Sequence, residues 1–219
     1  MYGILRVASY GQRELLLFGG GLLVLAGIAF FTVPWLAPVP LVGIAAVMGF
    51  FRDPKRVAPD GEGLVISPAD GKIADIENVD ESEFLECPAV RVGIFLSVFD
   101  VHINRSPLQG VVEYVKHRPG KFRSAFTAHS TRDNESNALG MRTPEGMPVL
   151  VRQLTGAIAR RIVCAVEPGE SLERGERYGM IKFGSRTEVF LPADRVRELK
   201  VSIGDRVRGG ETVLGELHT

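Results

Sequence analysis

The chain has 219 residues, and its 26 basic side chains are matched by 26 acidic ones, for a formal net charge of zero. That balance gives no whole-chain case for nucleic-acid binding. Two cysteines without a CxxC pair and four scattered histidines exclude a disulfide framework and offer no metal-ligand spacing, so no metal is expected and a reducing compartment is the default reading.

The N-terminal segment departs from this average. Residues 15–51 contain no charged side chain. A membrane-crossing helix needs about 20 apolar residues, so the run suits two helices better than one. Pro34, Pro38 and Pro40 cluster in its middle beside Trp35, where prolines interrupt a helix and Trp favours the bilayer interface. The pattern predicts a hairpin of helices over Leu15–Phe31 and Leu41–Phe51, the second short enough to be re-entrant. Arg6 and Arg13 precede the hairpin, Arg52, Lys55 and Arg56 follow it, and the central turn has no Lys or Arg. The positive-inside rule then places both ends, and everything after residue 52, on the cytoplasmic side of the cell (inner) membrane. The run is too long for a cleaved signal peptide and lacks its small-residue cleavage pattern.

After Pro54 the sequence becomes a series of short β-branched runs separated by Gly, Pro and Asp, the signature of a strand-rich domain. The expected fold class is α+β, mainly β, with a hydrophobic helical hairpin over residues 1–52 and a strand-rich domain over residues 53–219. Residues 80–86 and 118–146 are polar and read as loops. Val166–Glu176 and Val201–Glu211 repeat a common pattern of Val, Gly, acid, apolar residue and Gly-Glu, 35 residues apart. Each copy reads as strand, tight turn, strand, similar to the hairpins of lipoyl-type domains, but no modifiable lysine sits at a hairpin tip. The stretch 180–192 reads as one strand carrying Gly184-Ser185 inside it, a step that weakens a strand and signals a bulge or bend.

Four places carry side chains suited to chemistry. Asp70 lies in 66-ISPADGKI-73, where a turn-shaping role is the plainer reading. His102 closes the strand 94-IFLSVFDVHINRSP-107, at a position where a rigid element delivers a side chain to a loop, and histidine titrates in the range that proton transfer needs. The segment 117–139 carries His117, Arg118, Lys121, Arg123, His129 and Arg132 with Phe122 and Phe126 between them. It is either a solvated loop or a surface for an anionic lipid head group. The fourth is Gly184-Ser185.

Taken together, the apolar hairpin, SPADG, FDVHINRSP, GKF followed by DNESNAL, and GMIKFGSRTEVFLP resemble the short type of phosphatidylserine decarboxylase proenzyme over most of the chain. Longer members of that family carry Leu-Gly-Ser-Thr where this chain has Phe183-Gly184-Ser185-Arg186, and Tyr-His-Arg-Val-His where it has Phe99 and His102. The resemblance implies self-cleavage between Gly184 and Ser185 into a β chain of residues 1–184 and an α chain of residues 185–219, which stay together as a heterodimer. It implies that Ser185 becomes a covalent pyruvoyl cofactor. That group would form a Schiff base with membrane phosphatidylserine and release carbon dioxide to give phosphatidylethanolamine. His102, oriented by Asp70, would take the Ser185 proton in the manner of a serine-hydrolase triad, and His117, Lys121, Arg123 and His129 would bind the head group. No nucleic-acid partner is expected, and the sequence neither requires nor forbids a higher oligomer. Two other readings use the same residues: a membrane-bound serine hydrolase, against which the missing G-x-S-x-G elbow counts, and a non-enzymatic lipoyl-like membrane adaptor.

Overall fold

The computed structural model describes residues 7–121, 133–156, 161–182 and 185–218. They belong to two compact units, which meet in sequence at Lys55/Arg56.

In the first unit, helix α1 spans Gln12–Thr32 and helix α2 spans Pro38–Phe50. A short 3-10 turn at Pro34–Leu36 separates them. Together with the turn before it, the first helix runs over Ser9–Thr32, the one described helix long and apolar enough to cross a membrane. At 13 residues, α2 would reach only about 20 Å, against a hydrocarbon core of about 30 Å. The expected start at Leu41 falls three residues late. Pro38 and Pro40 begin α2 instead of delaying it, because the first turn of a helix leaves its N–H groups unpaired in any case. The Arg52 guanidinium donates to the Gly49 carbonyl at 2.6 Å, a cation at the negative end of the helix. The flanking arginine thus caps α2.

The described residues of the second unit form fourteen strands. These are β1 (Leu64–Ile66), β2 (Gly71–Glu81), β3 (Cys87–Leu96), β4 (Ile103–Arg105), β5 (Gly110–Arg118), β6 (Ser136–Arg142) and β7 (Pro148–Thr155). They continue with β8 (Arg161–Cys164), β9 (Ser171–Leu172), β10 (Arg177–Lys182), β11 (Ser185–Pro192), β12 (Val196–Leu199), β13 (Arg206–Val207) and β14 (Val213–Leu217). An eight-stranded sheet has the order β13-β2-β3-β11-β7-β6-β5-β9, and two three-stranded sheets have the orders β4-β10-β8 and β1-β14-β12. The described pairings are antiparallel.

The middle strands of the large sheet are covered on both faces. On one face Val92, Ile94, Leu139, Val151, Val189 and Leu191 enter the main core; on the other Leu150, Phe190, Ala138 and Leu85 form a second cluster. Burial on both sides is why these segments read as continuous apolar runs and not as alternating ones.

Three expectations are corrected. The stretch 180–192 is two strands: β10 belongs to a three-stranded sheet and β11 to the eight-stranded one, so the bond in question joins two sheets and does not lie within one strand. Residues 136–142, expected as loop, form β6, whose small and polar residues are nearly all buried. Their neighbours in β5 and β7 supply the pairing that the segment's own composition does not advertise. The start of the other expected loop, Asp80–Glu81, still belongs to β2.

The repeat is more extensive than its 35-residue signature. Gly169 and Gly204 have φ of 98° and 102°, and Gly175 and Gly210 both have φ of 82°. The amides of Glu167 and Ser202 each find a carboxylate three residues on, Glu170 and Asp205, both at 2.8 Å. Each arch packs on its own Ser-Pro-x-x-Gly turn. Gly210 N–H donates to the Ser67 carbonyl (2.8 Å) and Gly175 N–H to that of Ser106 (2.9 Å). Thus 67-SPADG-71 and 106-SPLQG-110 occupy equivalent places, and Asp70 has Gln109 as its counterpart.

Candidate active site

Ser185 opens β11 and pairs in register with Leu96 of β3 and Thr155 of β7. It is fully buried, and its hydroxyl has no hydrogen-bond partner among the described residues. Leaving a buried hydroxyl unsatisfied costs about 1–3 kcal/mol, and such a group asks for an explanation beyond packing. Gly184, the other half of the expected cleavage step, lies outside the described residues, as do Arg123 and His129 of the expected head-group loop.

His102 lies immediately before β4 and is fully buried. Its carbonyl accepts the N–H of Ile181 in β10 at 3.1 Å, which places it alongside the strand that runs into residues 183–184. Two residues further on, the Asn104 amide donates to Thr187 Oγ1 at 3.0 Å. His102 and Ser185 each lie two residues before this bonded pair in the chain. The chain of side-chain amides continues from Gln153 Nε2 to Asn104 Oδ1 (2.9 Å) and from Asn137 Nδ2 to Gln153 Oε1 (3.1 Å). It ties β4, β7 and β6 to β11 directly behind the serine.

The imidazole is oriented by the main chain. His102 Nδ1 lies 2.9 Å from the Asp100 carbonyl oxygen, and a carbonyl only accepts, so the proton sits on Nδ1 and Nε2 is left as the basic nitrogen. The carboxylate of Asp70 is held elsewhere: Oδ2 by Arg56 Nη2 at 2.8 Å and Oδ1 by the Gly209 N–H at 2.7 Å. Burial pushes the Asp70 carboxyl above its ordinary value, with Arg56 and the Gly209 amide pulling the other way and Asp100 adding to the rise. Asp100 is the residue whose carbonyl holds the imidazole. Asp100 and Arg56 are the partners that reading the sequence did not single out. Asp100 was within the quoted FDVHINRSP motif, while nothing local marks Arg56 as more than a flanking cation.

The DNESNAL segment arrives at the serine through Thr155. Asn134 Nδ2 donates to the Thr155 carbonyl (2.8 Å), and the Thr155 N–H donates to the Glu135 carbonyl (3.0 Å). Glu135 in turn meets His117 Nε2 at 2.9 Å, and Lys121 Nζ lies 3.8 Å from Asp133. Both basic candidates are largely exposed and reach the same sheet end as Ser185.

The side chain after the serine turns to the opposite face. Arg186 is fully buried, with Nε 2.8 Å from Glu188 and Nη2 2.6 Å from Asp75. A methyl on Gly93 would overlap its guanidinium, so the glycine in the neighbouring strand makes the space for it. A buried arginine needs such carboxylate partners to offset its desolvation. This cluster fixes the first turn of chain beyond Ser185.

Residues 44–215 match the family described as phosphatidylserine decarboxylase. The chain belongs to that family. It is 50% identical over 183 residues to the phosphatidylserine decarboxylase proenzyme of Carboxydothermus hydrogenoformans, covering 84% of this chain and 85% of that protein. It is 49% identical over 201 residues to that of Symbiobacterium thermophilum (91% and 92% covered) and 46% identical over 206 residues to that of Rhodopirellula baltica (93% and 85% covered). The phosphatidylserine decarboxylase match takes in Asp70, His102 and Ser185, and begins inside α2. A cleft of about 910 Å3, lined among others by Gln109, Pro148, Pro192 and His218, lies at the other end of β11, about 23 Å along an eight-residue strand. It belongs to the half of the repeat in which Gln109 stands for Asp70.

Proposed function

We propose that the chain cleaves itself between Gly184 and Ser185 and that the pyruvoyl group left at residue 185 decarboxylates phosphatidylserine to phosphatidylethanolamine. The observation that carries this reading is the Ser185 hydroxyl at the start of β11, buried and without a hydrogen-bond partner among the described residues. His102 Nδ1 meets the Asp100 carbonyl, and Nε2 is the nitrogen that this reading uses as base. In the proposed processing, His102 Nε2 takes the hydroxyl proton and Ser185 Oγ attacks the Gly184 carbonyl, converting the amide to an ester. Loss of the Ser185 Cα proton with cleavage of the Cβ–O bond then frees the Gly184 carboxylate. Hydrolysis of the resulting dehydroalanine consumes one water, releases ammonia and leaves the pyruvoyl end.

The residues present fit that group. Its ketone carbon would be the present Ser185 Cα, with Cβ as the methyl, and its amide would be the Arg186 N–H, fixed by β11 pairing and by the Asp75–Arg186–Glu188 cluster. When formed, the group supplies an electrophilic ketone that accepts the electrons released with carbon dioxide. The protein's own part is to hold that end rigid, keep His102 beside it as proton donor and exclude water behind the amide chain. Asp70 acts through Asp100 on the segment that aims His102. His117 and Lys121 meet the head group's phosphate and carboxylate, and the apolar hairpin holds the site at the cytoplasmic leaflet of the membrane.

Intact mass of the purified full chain, with decarboxylation of radiolabelled phosphatidylserine, tests this. Two fragments are expected, the smaller carrying the mass of residues 185–219 with its first residue as pyruvoyl. Ser185→Ala should remain one chain and release no carbon dioxide. An uncut wild-type chain that decarboxylates the lipid would falsify the proposal.

A further inference from the structure

Two turns carry exposed apolar tips that the chemistry above does not use: one extends β3 at the Ser185 end of the large sheet, and the other lies beside Ile73 of β2, whose carbonyl accepts the Gly204 N–H at 2.9 Å. The first follows β3 directly. Asp100 closes it, accepting from the Ser97 amide (2.8 Å) and hydroxyl (2.7 Å). Its tip is Phe99, 83% exposed, with Val98 beside it. The second turn precedes β13 and is closed in the same way, by the Ser202 amide on Asp205 (2.8 Å). Its tip is Ile203, 63% exposed. The two are joined: Arg206 Nη1 reaches Asp100 Oδ1 at 3.2 Å, and Arg206 pairs in register with Lys72, which pairs with Phe95.

A turn that faces only water gains nothing from a large apolar tip. Here two adjacent turns each present one, and cations flank them. The Arg206 and Arg208 side chains are about three-quarters exposed, and exposed Lys72 forms no ion pair among the described residues. The nearby acids are each engaged: the Asp100 side chain is 13% exposed, closes its own turn and meets Arg206, Asp205 caps the second turn, and Glu211 bridges to Arg56 at 2.7 Å and lies 3.9 Å from Arg208. Apolar tips among outward cations match the two requirements of interfacial binding: apolar surface to enter the headgroup–acyl boundary and positive charge to meet anionic headgroups. Ser185 pairs with Leu96, the residue next to the first turn, so docking here sets the serine at headgroup level.

We propose that these paired turns form a docking edge for an anionic phospholipid surface. Phe99 and Ile203 enter the interface, and Lys72, Arg206 and Arg208 meet lipid phosphates and carboxylates. The occupant rests on the lipid substrate proposed above. The edge adds a second, independent hold on the bilayer that orients the site, beyond the anchoring by the apolar helices.

The test uses the full, processed chain with two substrates: phosphatidylserine in phosphatidylcholine vesicles, and short-chain phosphatidylserine below its micelle concentration. Phe99→Ser with Ile203→Ser, and Ile203→Ser with Arg208→Glu, should each lower kcat/KM on vesicles about tenfold, through a higher KM in surface concentration. Turnover of the monomeric lipid and self-cleavage should stay at wild-type levels. Variants matching wild type on vesicles would overturn the docking edge, and so would an equal loss on both substrates, which would mark damage to the site. A wild type that decarboxylates neither lipid overturns the assigned reaction itself and removes the reason for a lipid occupant.

Discussion

Asp70 shows how burial and pairing compete at one carboxyl. Desolvation lifts its pKa above the ordinary 3.8 despite the Arg56 guanidinium and the Gly209 amide, so the folded protein holds that proton more tightly than the unfolded chain does. Between 3.8 and the raised value, folding therefore takes up a proton, and stability rises as pH falls through that window. Compared by urea denaturation in the uncleavable Ser185→Ala background, the wild-type side chain should gain stability relative to Asp70→Asn as pH is lowered from neutrality. A difference independent of pH would show that the carboxyl is not perturbed. At the same scale, the main-chain carbonyl of Asp100 does for His102 what a carboxylate does in a hydrolase triad. A residue can thus orient a histidine without its side chain touching it.

Among the elements, the arches around β9 and β13 are two copies of one device. Each uses a left-handed glycine at the same place, Gly169 at φ 98° and Gly204 at φ 102°, and neither position is sterically crowded. The backbone alone should then set the effect of adding a Cβ. Gly169→Ala and Gly204→Ala should each destabilise by about 1–2 kcal/mol, with closely matched losses in denaturant unfolding. Unequal losses would mean that the arches are not energetically equivalent. The copies differ in what they support. One braces the turn that carries Asp70, the other the turn that carries Gln109.

For the whole molecule, the division at Lys55/Arg56 matters because Arg56 bonds both Asp70 and Glu211. The cation belongs to the catalytic unit although it follows the apolar helices closely in sequence. A chain beginning at Pro54 retains Arg56 and the whole β core. It should fold, cleave itself and turn over soluble short-chain phosphatidylserine within about twofold of the full chain, while its retention in sedimented membranes weakens to what the docking edge alone supports. Removing three further residues takes Arg56 with them and leaves the Asp70 carboxylate buried without its cation, at a cost of about 3–5 kcal/mol. If the two truncations denature alike, Arg56 plays no such part.

Local pattern alone determined much of this protein. An uncharged run of apolar residues bounded by arginines needs no tertiary partner to read as membrane-associated helices, because length and hydropathy are properties of the segment itself. The strand-rich character after Pro54, the repeat, and the motifs that hold Asp70, His102 and Ser185 are equally local. The tertiary structure decided what depends on residues far apart in the chain. It divided 180–192 between two sheets, because β10 finds β4 and β8 whereas β11 finds β3 and β7. It made a strand of Ser136–Arg142, whose composition offers no apolar period, by placing it between two others. It buried Arg186 against a glycine nearly a hundred residues earlier, and it gave Asp70 an arginine and His102 a carbonyl. Periodicity reports what a segment can bury, and only long-range pairing says against what.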